Sequence, residues 1–244
     1  MANGFDPRAT ASPHTAGVGR EGVAFDAGLR SHMLSVYNYM ASGVLLTGIV
    51  ALGAAMMGIP QQLFAGGNIL GWIVIFSPLL MVFFLNFRIN KMSTGAVQAF
   101  FWMFAAVMGL SMSIIPLVYE GASIATAFVG AAAAFVSLSL WGYTTKKDLS
   151  GMGTFFMMGL IGLIVAMVAN MFIGSGPLDT AISVIGVLLF AGLTAYDTQK
   201  IKSIYFQVQG SDFLGKAAVL GALTLYLDFI NMFQFLLSLL GNRE

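Results

Sequence analysis

Two aspartates stand where carboxylates are costly. Asp228 lies in Leu225-Tyr226-Leu227-Asp228-Phe229-Ile230-Asn231-Met232-Phe233, near the middle of the last apolar run. Asp197 lies in Leu193-Thr194-Ala195-Tyr196-Asp197-Thr198-Gln199-Lys200, at the inner end of the run before it. A carboxylate at the centre of a membrane helix costs about 2.5–3.5 kcal/mol on insertion scales, so it normally marks a pathway or a paired site. Suppose the two runs form an antiparallel hairpin turning near Gln209-Gly210-Ser211. A rise of 1.5 Å per residue then puts the carboxylates about 20 and 27 Å from the turn, within about one and a half helix turns of each other. At such similar depth the two can face one another. Carboxylates this close do not both ionise easily, and they titrate as a coupled unit. Four uses are open: a shared-proton pH sensor, a ligand pair for a hard cation such as calcium, an acid/base couple for hydrolysis, or a helix-locking hydrogen bond from a protonated aspartate.

Neighbouring residues extend the set. Asn231 follows Asp228 by three positions, on the same helix face, and offers either an oxygen ligand or an interhelical hydrogen bond. Arg88, in Asn86-Phe87-Arg88-Ile89-Asn90-Lys91, closes the second apolar run. It reads either as an anchor that snorkels to the headgroups or as the cationic partner of Asp197. Loss of such a contact on protonation would act as a gate. Intramembrane aspartyl proteases also carry a Tyr-Asp in one helix and an Asp in the next. The residues before Asp228, however, are Leu225-Tyr226-Leu227 and not Gly-x-Gly, and no Pro-Ala-Leu segment follows. No nucleotide loop, zinc signature or Ser-His arrangement falls in the apolar runs, so the expectation is a protein that is not an enzyme and has no cofactor. His14 and His32 are too far apart for a helical metal pair and read as solvated.

The elements that must hold these residues are apolar to an unusual degree. The chain has 244 residues, 58% hydrophobic and 9% charged, where a soluble domain carries about 25% charged residues. An ordinary soluble enzyme is excluded, and a net charge of +1 gives no footprint for nucleic acid. There is no cysteine, which excludes disulfides, thiol catalysis and Cys-ligated zinc. A helix needs about 20 apolar residues to cross the hydrocarbon core. Seven runs qualify: 34–57, 69–87, 96–118, 122–143, 153–174, 179–199 and 214–240. None shows period-two alternation, so the fold class is all-α rather than a β-barrel, with a lipid bilayer as its solvent. Pro78 is expected to kink the second run and Pro116 lies near the end of the third. Residues 1–33 are rich in Gly, Ala, Pro and polar residues and read as a flexible tail, leaving 34–244 as the seven-helix domain.

Orientation follows from the basic residues. Arg8, Arg20, Arg30, Arg88, Lys91, Lys146, Lys147, Lys200, Lys202 and Lys216 fall on one side of the alternating spans, and only Arg243 falls on the other. This predicts a cytoplasmic amino terminus and an outer carboxyl terminus. Many of the 29 glycines lie inside runs and suit close helix packing, and Gly67-x-x-x-Gly71 has a small-xxx-small spacing.

Two ordered motifs, Gly192-Leu-Thr-Ala-Tyr-Asp-Thr-Gln-Lys-Ile-Lys202 and Leu223-Thr-Leu-Tyr-Leu-Asp-Phe-Ile-Asn-Met-Phe233, resemble the signature of the Bax inhibitor-1 family. Gly28-Leu-Arg-Ser-His-Met-Leu-Ser-Val-Tyr-Asn-Tyr-Met40 and Lys146-Lys-Asp-Leu-Ser150 are similar to its bacterial branch, so the resemblance spans about residues 27 to 241. It implies a seven-helix bundle of the bacterial inner membrane with the last helix at its centre. It further implies a pH-sensitive calcium leak, with protons and calcium as partners. In that family the residues matching Asp197 and Asp228 form the pH-sensing, cation-binding pair, and the one matching Arg88 latches an aspartate in the closed state. Some bacterial members carry a further acid deeper in the second helix, where this chain reads Phe76-Ser77-Pro78-Leu79. Another bacterial branch is associated with modulating a membrane AAA protease, which would make the chain a non-conducting regulator.

Overall fold

The computed structural model describes residues 15–64 and 68–242, with side chains described from residue 27 onward. The helices, in chain order, are α1 (Thr15–Met56), α2 (Ile59–Phe64), α3 (Ile69–Arg88), α4 (Thr94–Ser111), α5 (Ile115–Val118), α6 (Gly121–Thr144), α7 (Gly153–Ile173), α8 (Gly176–Val208) and α9 (Leu214–Leu240). Seven segments are long and apolar enough to cross a membrane: Ala27–Met56, Ile69–Lys91, Thr94–Val118, Gly121–Thr144, Ser150–Ile173, Gly176–Val208 and Leu214–Leu240. The fold is an all-α membrane bundle, and no strand occurs among the described residues.

Local chemistry sets the helix ends. Asn68, Ser93 and Ser175 each place a side-chain oxygen on an amide of the first turn of α3, α4 and α8, at 3.1, 3.2 and 3.4 Å. Each satisfies a donor that a helix start leaves without an intrahelical acceptor. Gly174 closes α7 in the left-handed conformation at φ 65°, and Pro177 enters the first turn of α8, where no amide hydrogen is needed. Pro78 lies inside α3, which continues through it. The third span does break: α4 ends at Ser111 and Pro116 sits in the first turn of α5.

Helix α9 is the hub. Half of its apolar window is buried in the protein, against 11% for α7, which faces lipid. It contacts α1, α4, α6 and α8. Close approaches rest on glycine. A Cβ at Gly142 of α6 would strike the Ala195 backbone of α8, and one at Gly109 of α4 would come 2.6 Å from the Thr47 carbonyl of α1. Gly67, the first residue of the small-xxx-small spacing, lies outside the described residues.

Two expectations need correction. Residues 27–33 do not belong to a flexible tail, because they are helical and Leu29 and Met33 are buried in the core. With Val36 and Met40, also buried, they repeat at helical spacing and give α1 a protein-facing stripe. His32 is not solvated. It is 6% exposed, its ring lies 5.3 Å from that of Tyr205, and its Nε2 is buried without a hydrogen-bond partner. His14 and the rest of the expected tail up to residue 14 lie outside the described residues, as does Arg243 at the far end.

Candidate functional site

The α8–α9 hairpin turns at Gly210, which takes φ 77° between the end of α8 at Val208 and the start of α9 at Leu214. That position demands a residue without a Cβ penalty. Once the turn is fixed, Asp197 and Asp228 arrive at similar depth. Both line one cavity of about 700 Å³ bounded by α3, α4, α7, α8 and α9. Asp197 is 8% exposed and Asp228 4%. Oδ2 of Asp228 is buried without a hydrogen-bond partner. A buried carboxylate oxygen with no donor is costly if charged.

Asn231 opens on the same cavity. Its Nδ2 donates to the Leu227 carbonyl at 2.8 Å, which leaves its own oxygen able to accept or to ligate. Thr224, Ser111 and Gln234 bring further polar atoms to the wall, among apolar neighbours such as Phe104, Leu163 and Phe190. Among the described residues no cluster of three or more His, Cys, Asp or Glu side chains exists. A calcium ion, which takes six to eight oxygens, would find two carboxylates and an amide here and would keep part of its water.

The cation beside Asp197 is Lys200, one helical turn further along α8. Its ammonium lies 5.9 Å from the Tyr196 ring centroid. Arg88, the expected partner, is exposed, stands 5.9 Å from the Phe84 ring centroid, and makes no ion pair among the described residues. In this conformation the structure therefore unites Asp197, Asp228 and Asn231 but leaves Arg88 outside. Lys200 was legible in the sequence as a Lys three residues after an Asp on a helix.

Two polar networks frame the pair and were missed in the sequence. In the first, the Thr47 hydroxyl lies 2.6 Å from Tyr226 Oη, 2.9 Å from the Ala105 carbonyl and 3.0 Å from the Gly43 carbonyl. Thr47 has one hydrogen to give, so it donates to a carbonyl and accepts from Tyr226. This bond ties α1, α4 and α9 two residues from Asp228. In the second, Thr198 donates to the Thr194 carbonyl at 2.7 Å, lies 3.0 Å from Ser139 Oγ, and Ser139 lies 2.6 Å from Tyr37 Oη. The proton order is then Tyr37 to Ser139 to Thr198. It fastens α1 and α6 to α8 immediately beside Asp197. The signal lay in single hydroxyls within apolar runs, which seek partners across helices in lipid.

Outside the spans, Asp148 accepts from the Ser150 amide at 2.9 Å. The side-chain and backbone donors of Ser150 hold its carboxyl below the usual carboxylate range. It stays ionised and shapes the α6–α7 connection.

Comparison with known proteins bears on the whole bundle. Residues 29–244 match the family model described as Inhibitor of apoptosis-promoting Bax1. An uncharacterized protein of Rickettsia prowazekii is 45% identical over 222 residues, covering 90% of this chain and 93% of the relative. One from Caulobacter vibrioides is 42% identical over 235 residues, covering 92% and 94%. The inner membrane protein YbhL of Escherichia coli is 44% identical over 220 residues, covering 89% and 94%.

Proposed function

The chain belongs to the Bax inhibitor-1 family of multi-spanning membrane proteins, and from that premise we propose that it is a pH-sensitive cation leak that passes calcium. The observation that carries this reading is the pair of buried aspartates from adjacent helices on one cavity inside an otherwise apolar bundle. Acids in such places cost free energy and mark ion or proton pathways. Hard oxygens from Asp197, Asp228 and Asn231 suit calcium as transported cargo. A site with few protein ligands suits transit, because conduction requires that an ion leave as readily as it enters.

In this proposal protons and calcium compete for the same pair. Protonating either aspartate removes charge that would draw in a cation, and protonating Asp197 removes its attraction to Lys200. The latch role of Arg88 needs a second conformation in which the inner end of α3 swings toward Asp197. The protein would sit in the bacterial inner membrane, the location named for the E. coli relative, with its amino terminus cytoplasmic, and it would not be an enzyme.

Calcium flux into proteoliposomes, measured across pH with Asp197→Asn and Asp228→Asn variants, tests the proposal. It expects a pH-dependent flux in the wild type that loses its pH dependence in either variant. Absence of flux, together with co-purification of a membrane AAA protease, would instead assign the chain as a non-conducting regulator.

A further inference from the structure

A second cavity lies on the opposite side of α9. Helices α1 and α6 both rest on α9 but part from each other, leaving a groove of about 640 Å³ floored by Phe135 and Phe229. We infer that this groove holds one acyl chain of an anionic phospholipid, with the lipid phosphate at Arg30.

The groove changes character along its length. Its outer stretch, from Val44 on α1 and Phe128 on α6, is wholly apolar, and the small Ala41 and Ala132 keep it open. Arg30 and Tyr143 mark its inner end, and the hydrogen-bonded Tyr37 and Ser139 lie between that end and the apolar stretch. Arg30 is exposed and makes no ion pair among the described residues, and no acid lines the groove. Lys202 stands behind this end, donating to the Tyr143 carbonyl at 3.1 Å with its ammonium 5.3 Å from the Tyr143 ring centroid. The exposed Lys146 and Lys147 follow α6 at the same end. Positive charge therefore caps an apolar trough on one side only, as a phosphate above an acyl chain requires.

Dimensions agree with one lipid leg. Arg30 to Val44 on α1 and Phe128 to Tyr143 on α6 cover about 21 and 23 Å at 1.5 Å per residue. Half of the hydrocarbon core is about 15 Å thick, which leaves room for a headgroup at the basic end. The cavity volume of about 640 Å³ falls in the range of small-molecule sites.

Native mass spectrometry of the purified full chain with phosphatidylglycerol and phosphatidylethanolamine tests this. The wild type should retain phosphatidylglycerol preferentially. Arg30→Ala should lower that preference about fivefold, the scale of one basic residue at an anionic surface, and Arg30→Lys should keep most of it. Ala132→Trp should remove both lipids, while Ile161→Trp, on the exposed face of α7, should remove neither. Because the chain has no cysteine, Ala41→Cys adds a milder probe, whose alkylation by a membrane-permeant maleimide should slow with phosphatidylglycerol. An unchanged preference in Arg30→Ala, or alkylation indifferent to the lipid, overturns the inference. So does an Ala132→Trp variant that changes oligomeric state while keeping its lipid.

Discussion

Asp228 of α9 and Asp197 of α8 line one cavity, and Oδ2 of Asp228 is buried there without a hydrogen-bond partner. Two acids on neighbouring helices, one of them incompletely bonded, form an arrangement that stability alone does not favour. Replacing Asp228 by the isosteric Asn removes the charge and adds donors. Asp228→Asn is therefore expected to unfold in detergent at a temperature no lower than the wild type, while its calcium flux loses its response to pH. A lower unfolding temperature with an intact pH response would assign Asp228 to structure.

Lys200 and Arg88 can be separated by the same flux measurement. A cation one turn from a carboxylate favours its ionised form by about 0.2–0.5 kcal/mol, or roughly 0.3 pH unit. Lys200→Ala should move the midpoint of the pH response upward by about that amount. Arg88→Ala should move it less if the bundle conducts in the conformation described here. A larger effect of Arg88→Ala would reveal a latched state.

Close helix contact makes a prediction that does not depend on function. A Cβ at Gly142 would strike the Ala195 backbone, which cannot rotate away, whereas one at Gly162 meets nothing within 4 Å. Gly142→Ala should cost about 1–3 kcal/mol as an overpacked contact. Gly162→Ala should be neutral or stabilising by up to about 1 kcal/mol, the helix preference of Ala over Gly. Thermal unfolding in detergent distinguishes the two.

Tyr226→Phe removes the hydroxyl that donates to Thr47 but leaves Thr47 its carbonyl acceptors at 2.9 and 3.0 Å. No buried donor is stranded, so the loss should be near that of one hydrogen bond, about 1 kcal/mol. Thr47→Val strands the Tyr226 hydroxyl in a fully buried position and should cost more, about 1–3 kcal/mol. Equal losses would mean that the hydroxyl finds another partner.

Hydropathy along one dimension was enough to place the spans. A membrane helix is set by its own run of about 20 apolar residues and satisfies its backbone internally. The runs expected at 69–87, 122–143 and 214–240 accordingly correspond to Ile69–Lys91, Gly121–Thr144 and Leu214–Leu240. The two acids stood out for the same reason, since a charge in such a run is anomalous wherever the helix points. Their common depth followed from the turn at Gly210, which glycine chemistry marked in advance.

Which groups meet was a different matter. A helix apolar on every side does not declare which face looks at lipid and which at protein, because both environments accept the same residues. Only the tertiary packing turned His32 inward against Tyr205. The same packing left α1 and α6 apart above Phe229. The amino-acid sequence by itself thus determined the number of spans and the two costly carboxylates, which depend on local free energies of transfer, but not where the first span begins or the sixth ends, at Ala27 and Val208. Helix rotation and choice of neighbours, which depend on side-chain shapes meeting across the bundle, decided the partners of those carboxylates.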